Sequence, residues 1–247
     1  MNVKMTYAYD GTRYAGSQIQ ENAVAVENEL VRAIYRVTGE DVRLTSAGRT
    51  DAGVHAEGMV SNFFTKSPIP MENLAYAVND QLPDDIRVRE CVEVAEDFHA
   101  RYDARKKTYL YRIMNARYIS PLRRLYGVQI YRPLDERKMA NAAKLFLGRH
   151  DFTSFMSAKA KKGTNPVRTI DEIRVERVDD EIRLYFTAES FLYNQVRIMA
   201  GALAGIGAGE MDEETLEKIL DARDRAAAGH TFPAKGLTLL EITYDAK

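Results

Sequence analysis

Three observations predict an α+β fold. Segments with the two-residue alternation of strands are interspersed with segments whose apolar residues recur at helical spacing. Their order is strand–helix–strand–strand–helix–strand, and that order occurs twice along the chain. At 247 residues, 45% of them hydrophobic, each repeat has enough apolar material for a core of its own. This order is that of the ferredoxin-like split β-α-β unit. The expected architecture is two such halves, residues 1–104 and 105–247. Together they would form one extended, mainly antiparallel sheet with helices on one face and a central active-site cleft.

In the first half, Val3 to Tyr9 reads as a strand ended by the turn pair Asp10-Gly11. The stretch from Thr12 to Gln20 is polar and irregular. Val26, Leu30, Ala33, Ile34 and Val37 then mark one face of a helix, with Gly39 as its stop. Strands are expected over 42–46 and 58–64, a second helix through Leu74, Ala75, Val78 and Leu82, and a strand over 86–94. In the second half a strand is expected over 107–114. Asp135 should cap a helix carrying Met139, Ala142, Ala143, Phe146 and Leu147, stopped at Gly148. A hairpin over 167–178 and 182–188 would turn at Asp179-Asp180. An apolar helix over 191–206, a further helix at Leu216, Ile219 and Leu220, and a strand over 237–244 complete the half.

The remaining composition narrows the function classes. No apolar run approaches the roughly 18 residues of a membrane span, and the N-terminus opens into a strand pattern without a signal-peptide apolar region. A single cysteine, Cys91, excludes an internal disulfide framework, and no Cys/His cluster has metal-ligand spacing. A cytoplasmic setting without metal or other cofactor is expected. The net charge of −1 excludes a globally basic binder, so a polyanion would have to meet a local patch.

The densest chemistry lies in Ser46-Ala47-Gly48-Arg49-Thr50-Asp51-Ala52-Gly53-Val54-His55, between two expected strands. A plain reversal needs only two to five turn residues. Here a carboxylate, a guanidinium, a hydroxyl and an imidazole share one glycine-flanked loop. Asp51 beside Arg49 suits a nucleophile or a base. The alternative, a turn-capping Asp, is the commoner fate of a loop Asp but leaves the crowding unexplained. Gly48 and Gly53 stand five residues apart as in a phosphate-binding loop, yet Val54-His55 replaces the required Lys-Ser/Thr, which excludes a nucleoside triphosphate site. His55 reads either as a general acid/base or as a structural hydrogen-bonding group.

From Asp97 to Arg112, basic side chains interleave with aromatics, a pattern that suits RNA phosphates and bases. A strand with solvated charges and a tyrosine-rich core face is the competing reading. Arg123-Arg124 and Lys159-Ala160-Lys161-Lys162 add local positive charge. Arg197 stands in an apolar helix beside Phe191, Val196, Ile198 and Met199, where a guanidinium is costly without a partner. A buried carboxylate such as Asp51 would be one, and snorkelling to water is the alternative.

Gly48-Arg49-Thr50-Asp51-Ala52-Gly53-Val54-His55 resembles the active-site signature of the TruA family of tRNA pseudouridine synthases. Tyr9-Asp10-Gly11 with Tyr14, Gly16 and Gln18 resembles the family's N-terminal motif, with Ser17 where bacterial members usually have Trp. Asp97-Phe98-His99-Ala100-Arg101, Asp151-Phe152-Thr153-Ser154-Phe155, Val196-Arg197 and Gly236-Leu237 match further family blocks, and the resemblance runs over nearly the whole chain.

The resemblance implies an isomerase that turns uridine into pseudouridine at positions 38, 39 and/or 40 of the tRNA anticodon stem–loop. It implies Asp51 as the catalytic nucleophile, Tyr109 stacked on the flipped uracil, and Arg197 paired with Asp51. Leu237 would pack against the base, and Arg49 and His55 would complete the substrate site. A homodimer with tRNA contacting both subunits is implied as well. Two other readings compete: a non-catalytic protein with two RRM-like RNA-binding halves, and a hydrolase using Asp51 and His55 as acid and base.

Overall fold

The computed structural model describes residues 1–245, and the fold is mixed α+β with mainly antiparallel strand pairing. The chain divides into two compact units. The first comprises Met1–Arg105 and the segment from Thr238 onward, and the second comprises Lys106–Leu237.

The first unit follows the expected order: β1 (Asn2–Tyr9), α1 (Val26–Thr38), β2 (Thr45–Ser46), β3 (His55–Phe64), α2 (Met71–Asn79) and β4 (Ile86–Val94). β1 pairs antiparallel with β3 on one side and with β4 on the other. α1 presents Val26, Leu30, Ala33 and Ile34 to the core, as their spacing requires, and α2 adds Leu74 and Val78. Gly39 ends α1 in the left-handed conformation at φ +73°, and its N–H caps the Tyr35 carbonyl.

Two strands depart from expectation. β2 covers only Thr45–Ser46, although pairing was expected from Val42. Past Asn62 the ladder meets Glu40, whose carboxylate accepts the Lys66 N–H (3.0 Å) and the Thr65 hydroxyl (2.6 Å). β3 begins at His55, three residues earlier than Gly58, because β1 and β10 (Leu237–Tyr244) both pair with its first residues. β10 runs parallel to β3 there, Thr238 opposite His55 and Leu239 opposite Ala56. Gly58 sits inside the strand because a Cβ there would lie 2.5 Å from the Leu240 carbonyl oxygen.

The second unit contains β5 (Ala104–Met114), β6 (Val128–Gln129), α3 (Glu136–Ala143), β7 (Gly148–Asp151), β8 (Val167–Val178), β9 (Glu181–Ala188), α4 (Gln195–Gly207) and α5 (Glu213–Ala222). The order β5-β9-β8-β7 is antiparallel throughout, and β6 pairs parallel with the end of β5. β9 turns Ile182, Leu184, Phe186 and Ala188 inward, and α4 is buried almost all round. The Asp135 carboxylate caps α3 by accepting the N–H groups of Arg137 (3.0 Å) and Lys138 (3.1 Å).

Helix ends in this unit also differ from the periodicity. α3 tightens into a 3-10 turn at Lys144–Phe146 before Gly148, which starts β7 at φ +86°. α4 starts at Gln195 and not at residue 191, because Asn194 is left-handed (φ +63°) and the Gln195 side chain takes the Leu192 N–H at 2.8 Å. The apolar spacing of residues 191–194 therefore belongs to a turn. The charge expected at Arg123 is already committed within the unit: it pairs with Asp180 at 3.0 Å and with the buried Glu181. Arg183 (3.1 Å) and Arg112 (3.5 Å) complete the cage around Glu181. No helix among the described residues is long and apolar enough to cross a membrane.

Candidate functional site

The loop at 47–54 is held down by the connection between β1 and α1. Its start is fixed by Ala47 N–H donating to the Val60 carbonyl at 2.9 Å. Thr50 is then held through three polar groups. Its N–H donates to Ser17 Oγ (2.9 Å), its carbonyl accepts the Ser17 N–H (3.1 Å), and its hydroxyl shares a 2.7 Å hydrogen bond with the Tyr9 phenol. After Asp51 the chain closes a turn, with Val54 N–H donating to the Asp51 carbonyl at 3.1 Å. Gly53, at φ +77°, donates its N–H to the Tyr14 carbonyl at 3.4 Å. Asp51 is partly accessible, Arg49 is exposed, and Thr50 and Val54 on either side of Asp51 are buried. Asp51 is thus carried on backbone that is fastened at both flanks.

His55 is the first residue of β3, not part of the loop as the sequence suggested. It is 4% exposed, and its Nδ1 accepts the Gly11 N–H at 3.1 Å. The Asp10 carboxylate lies 3.1 Å from the same nitrogen. With the Gly11 proton on that nitrogen's lone pair, neutral His55 carries its own proton on Nε2, and the Asp10 contact becomes an ion pair only when the ring is protonated. Asp10 also accepts the Thr12 N–H at 2.9 Å, starting the 3-10 turn Gly11–Arg13. Asp85 anchors that turn from β4's side, receiving the Tyr14 hydroxyl (2.7 Å) and Arg13 Nε (2.7 Å). Burial and this carboxylate push the Tyr14 phenol well above its ordinary value, so it stays a donor. Beneath the loop, burial pushes the Tyr7 phenol up to about 12, which keeps it protonated within its hydrogen bonds to Ser61 and on to Ser46.

The two pieces fit only because glycines stand where the backbones cross. A Cβ at Gly11 would lie 2.0 Å from the Val54 carbonyl oxygen, and one at Gly16 (φ +107°) would lie 2.8 Å from that of Thr50. Gly11→Ala is therefore expected to lower the melting temperature by roughly 5–10 °C, from about 2–3 kcal/mol of backbone overpacking. Gly39→Ala, where a Cβ meets nothing within 4 Å, carries only left-handed strain of about 1 kcal/mol and a smaller shift. Thermal denaturation of the two variants side by side checks the difference.

The second unit carries the other expected residues. Tyr109, on β5 opposite Phe186, meets Phe191 edge-on with ring centroids 5.4 Å apart. This contact orients one edge of a partly exposed phenol ring. Arg197, in the first turn of α4, donates from Nε to the Phe232 carbonyl (2.7 Å) and from Nη1 to Asn194 Oδ1 (2.7 Å). Gly201 permits this approach, since a Cβ there would lie 3.0 Å from the His230 carbonyl and 3.1 Å from the Phe232 ring. Tyr111 is fully buried nearby and donates to the Pro233 carbonyl at 2.8 Å. Burial raises its phenol strongly while Arg197 pulls it back, and it remains protonated. Gly236 lets the backbone lie on that ring, 2.6 Å from an added Cβ, and so sets the start of β10 at the buried Leu237.

The structure thus groups Asp51, Arg49 and His55 in the first unit, and Tyr109, Arg197 and Leu237 in the second. Ser17, Asn194 and Phe232 are the supporting residues that the sequence did not single out for a role. Ser17 lies in a polar, aperiodic stretch, and Phe232 is flanked by residues without a pattern, so neither carries a local signal.

The family model described as tRNA pseudouridine synthase matches residues 5–103 and 142–245. Curated relatives match over nearly their full length. A protein of Acetivibrio thermocellus named tRNA pseudouridine synthase A is 45% identical over 243 residues, covering 98% of this chain and 99% of the relative. Proteins of the same name from Thermoanaerobacter sp. (strain X514) and Brevibacillus brevis are each 44% identical, with 98% of this chain and 99% of each relative covered.

Proposed function

The chain belongs to the tRNA pseudouridine synthase family, and on that premise we propose that it acts through Asp51 on uridine at position 38, 39 and/or 40 of the tRNA anticodon stem–loop. The enzyme converts uridine in tRNA to pseudouridine. The N1–C1′ bond breaks, the uracil turns, and a C5–C1′ bond forms; C5 gives up a proton and N1 gains one, so the product has the mass of the substrate. The carboxylate of Asp51 serves as nucleophile, since an aspartate of reference pKa about 3.9 is ionised at neutral pH. The observation that carries this reading is the partly accessible Asp51 in a turn bounded by the buried, hydrogen-bonded Thr50 and Val54, inside the stretch matched by the family model.

Tyr109, its edge set by Phe191, is the platform for the unstacked base, because a nucleotide must leave its stack before its glycosidic bond is reached. Arg197 is the charge partner of Asp51, Leu237 packs against the base, and Arg49 holds the displaced nucleotide. His55 serves by fixing the Asp10–Gly11 turn. Exposed Tyr102, Tyr118 and Tyr131, with Arg101, Arg117 and Arg124, support RNA contact. The pairing of β1, β3 and β4, with β2 on the far edge of β3, supports the ferredoxin-like reading of the first half, residues 1–104, and the β5-β9-β8 order supports the same reading for the second, residues 105–247. A cytoplasmic homodimer completes the proposal.

Incubation with an unmodified tRNA transcript, followed by intact mass measurement and nucleoside chromatography, tests the reaction class. The expected result is pseudouridine in tRNA of unchanged mass. Free uracil or a cut strand would support a hydrolase, and unmodified tRNA with binding intact would support a non-catalytic RNA-binding protein.

A further inference from the structure

Thr50, immediately before Asp51, is held by three tethers, and Ser17 supplies two of them. The Ser17 hydroxyl accepts the Thr50 N–H at 2.9 Å, and the Ser17 N–H donates to the Thr50 carbonyl at 3.1 Å. Ser17 is 5% exposed and Thr50 is 7% exposed, so water has little access to replace these bonds. Ser17 is itself anchored, because its carbonyl accepts the Glu27 N–H (3.1 Å) and that of Gly16 accepts the Val26 N–H (3.2 Å). Both donors lie in the first turn of α1, so the tether connects the catalytic loop to a helix of the core.

From this geometry we infer that Ser17 is a positioning residue for the reaction: its hydroxyl fixes the peptide plane entering Thr50, its N–H fixes the next plane, between Thr50 and Asp51, and the two together aim the carboxylate. The inference rests on Asp51 being the acting group. The two peptide planes flanking Asp51 set its φ and ψ. The outgoing one is fixed by the turn bond from Val54 to the Asp51 carbonyl, and the incoming one by the Ser17 N–H on the Thr50 carbonyl, while the Ser17 hydroxyl on the Thr50 N–H fixes the plane before it. Without the Ser17 hydroxyl the Thr50 N–H loses its acceptor, the Arg49–Thr50 plane is released, and the Thr50–Asp51 plane is left on its single carbonyl tether with the backbone before it free to rock. The Tyr9 phenol holds the Thr50 side chain, not the peptide, and cannot restore that plane. Displacement of a reacting group by about 1 Å costs on the order of a hundredfold in rate.

The test is steady-state kinetics of Ser17→Ala, Ser17→Thr and Tyr9→Phe on one tRNA transcript, with folded enzyme counted by stoichiometric tRNA binding. Ser17→Ala is expected to lower kcat per folded enzyme by about tenfold to a hundredfold, with KM and tRNA affinity within about twofold. Ser17→Thr, which keeps the hydroxyl, is expected to recover most of the loss. Tyr9→Phe is expected to lose less than Ser17→Ala, and the double variant Tyr9→Phe/Ser17→Ala less than the product of the two, because both changes loosen the same residue. A Ser17→Ala enzyme with wild-type kcat per folded molecule overturns the inference, as does a loss confined to melting temperature. If Ser17→Ala does not fold, Ser17→Cys, with a weaker acceptor at the same place, carries the test with a smaller loss. Asp51→Asn run in parallel separates the two claims. Full activity there defeats the role of Asp51, whereas an inactive Asp51→Asn with an unimpaired Ser17→Ala defeats only the positioning role.

Discussion

Asp51→Asn is expected to lower kcat by roughly 10³-fold or more while tRNA affinity stays within about twofold. The substitution removes a negative charge and almost no volume, so the tethers on Thr50 and Val54 persist and the loop keeps its path. A thousandfold loss corresponds to about 4 kcal/mol of transition-state stabilisation, far beyond the 0.5–1.5 kcal/mol of one ordinary hydrogen bond. Single-turnover kinetics with saturating enzyme isolates the chemical step. A variant with kcat within tenfold of wild type would remove Asp51 from the role of nucleophile.

Arg197→Lys is the second large effect, with kcat expected to fall about a hundredfold. Lysine retains the positive charge but lacks the planar fork that lets one guanidinium donate in several fixed directions. In this protein Nε and Nη1 are directed at the Phe232 carbonyl and the Asn194 side chain, which set the plane of the group at the start of α4. An ammonium at that position keeps neither direction. If Arg197 acts by orienting Asp51, the double variant with Asp51→Asn should be no worse than Asp51→Asn alone, whereas independent roles would multiply. The same kinetic assay on the three enzymes distinguishes the outcomes.

What could be read from the sequence follows from how local each determinant is. The face of α1, its stop at Gly39, the Asp135 cap and the strands β4 and β10 are set by residues within a few positions of one another, and the structure has them where the periodicity placed them. The loop containing Asp51 was legible for the same reason: carboxylate, guanidinium and glycines stand together between two strand patterns. Short or shared edges were not. β2 pairs over two residues only, with the Glu40 carboxylate, not the β2 backbone, meeting Thr65 and Lys66 beyond it, and β3 is lengthened by pairing with β10 from the far end of the chain. β6 and β7, of two and four residues, are too short to show alternation. The α4 start was obscured because Phe191 and Leu192 continue the apolar spacing through a turn that Asn194 makes in the left-handed region.

The supports of the candidate site were the least legible part. Ser17 holds Thr50 across 33 residues, and Phe232 holds Arg197 across 35, with no periodicity linking either pair. His55 illustrates the same limit. Its type left an acid/base role and a structural hydrogen bond both open, and the hydrogen bond that its Nδ1 accepts comes from the Gly11 N–H, a partner 44 residues away.

Carbodiimide-dependent primer extension on a tRNA transcript with uridines at positions 38, 39 and 40, treated in parallel with wild-type enzyme and Asp51→Asn, tests the central claim most directly. The account predicts stops at one or more of these positions with wild type and none with Asp51→Asn at equal tRNA occupancy. No stop in the anticodon stem–loop with wild-type enzyme bound, or the same stops with Asp51→Asn, would contradict it.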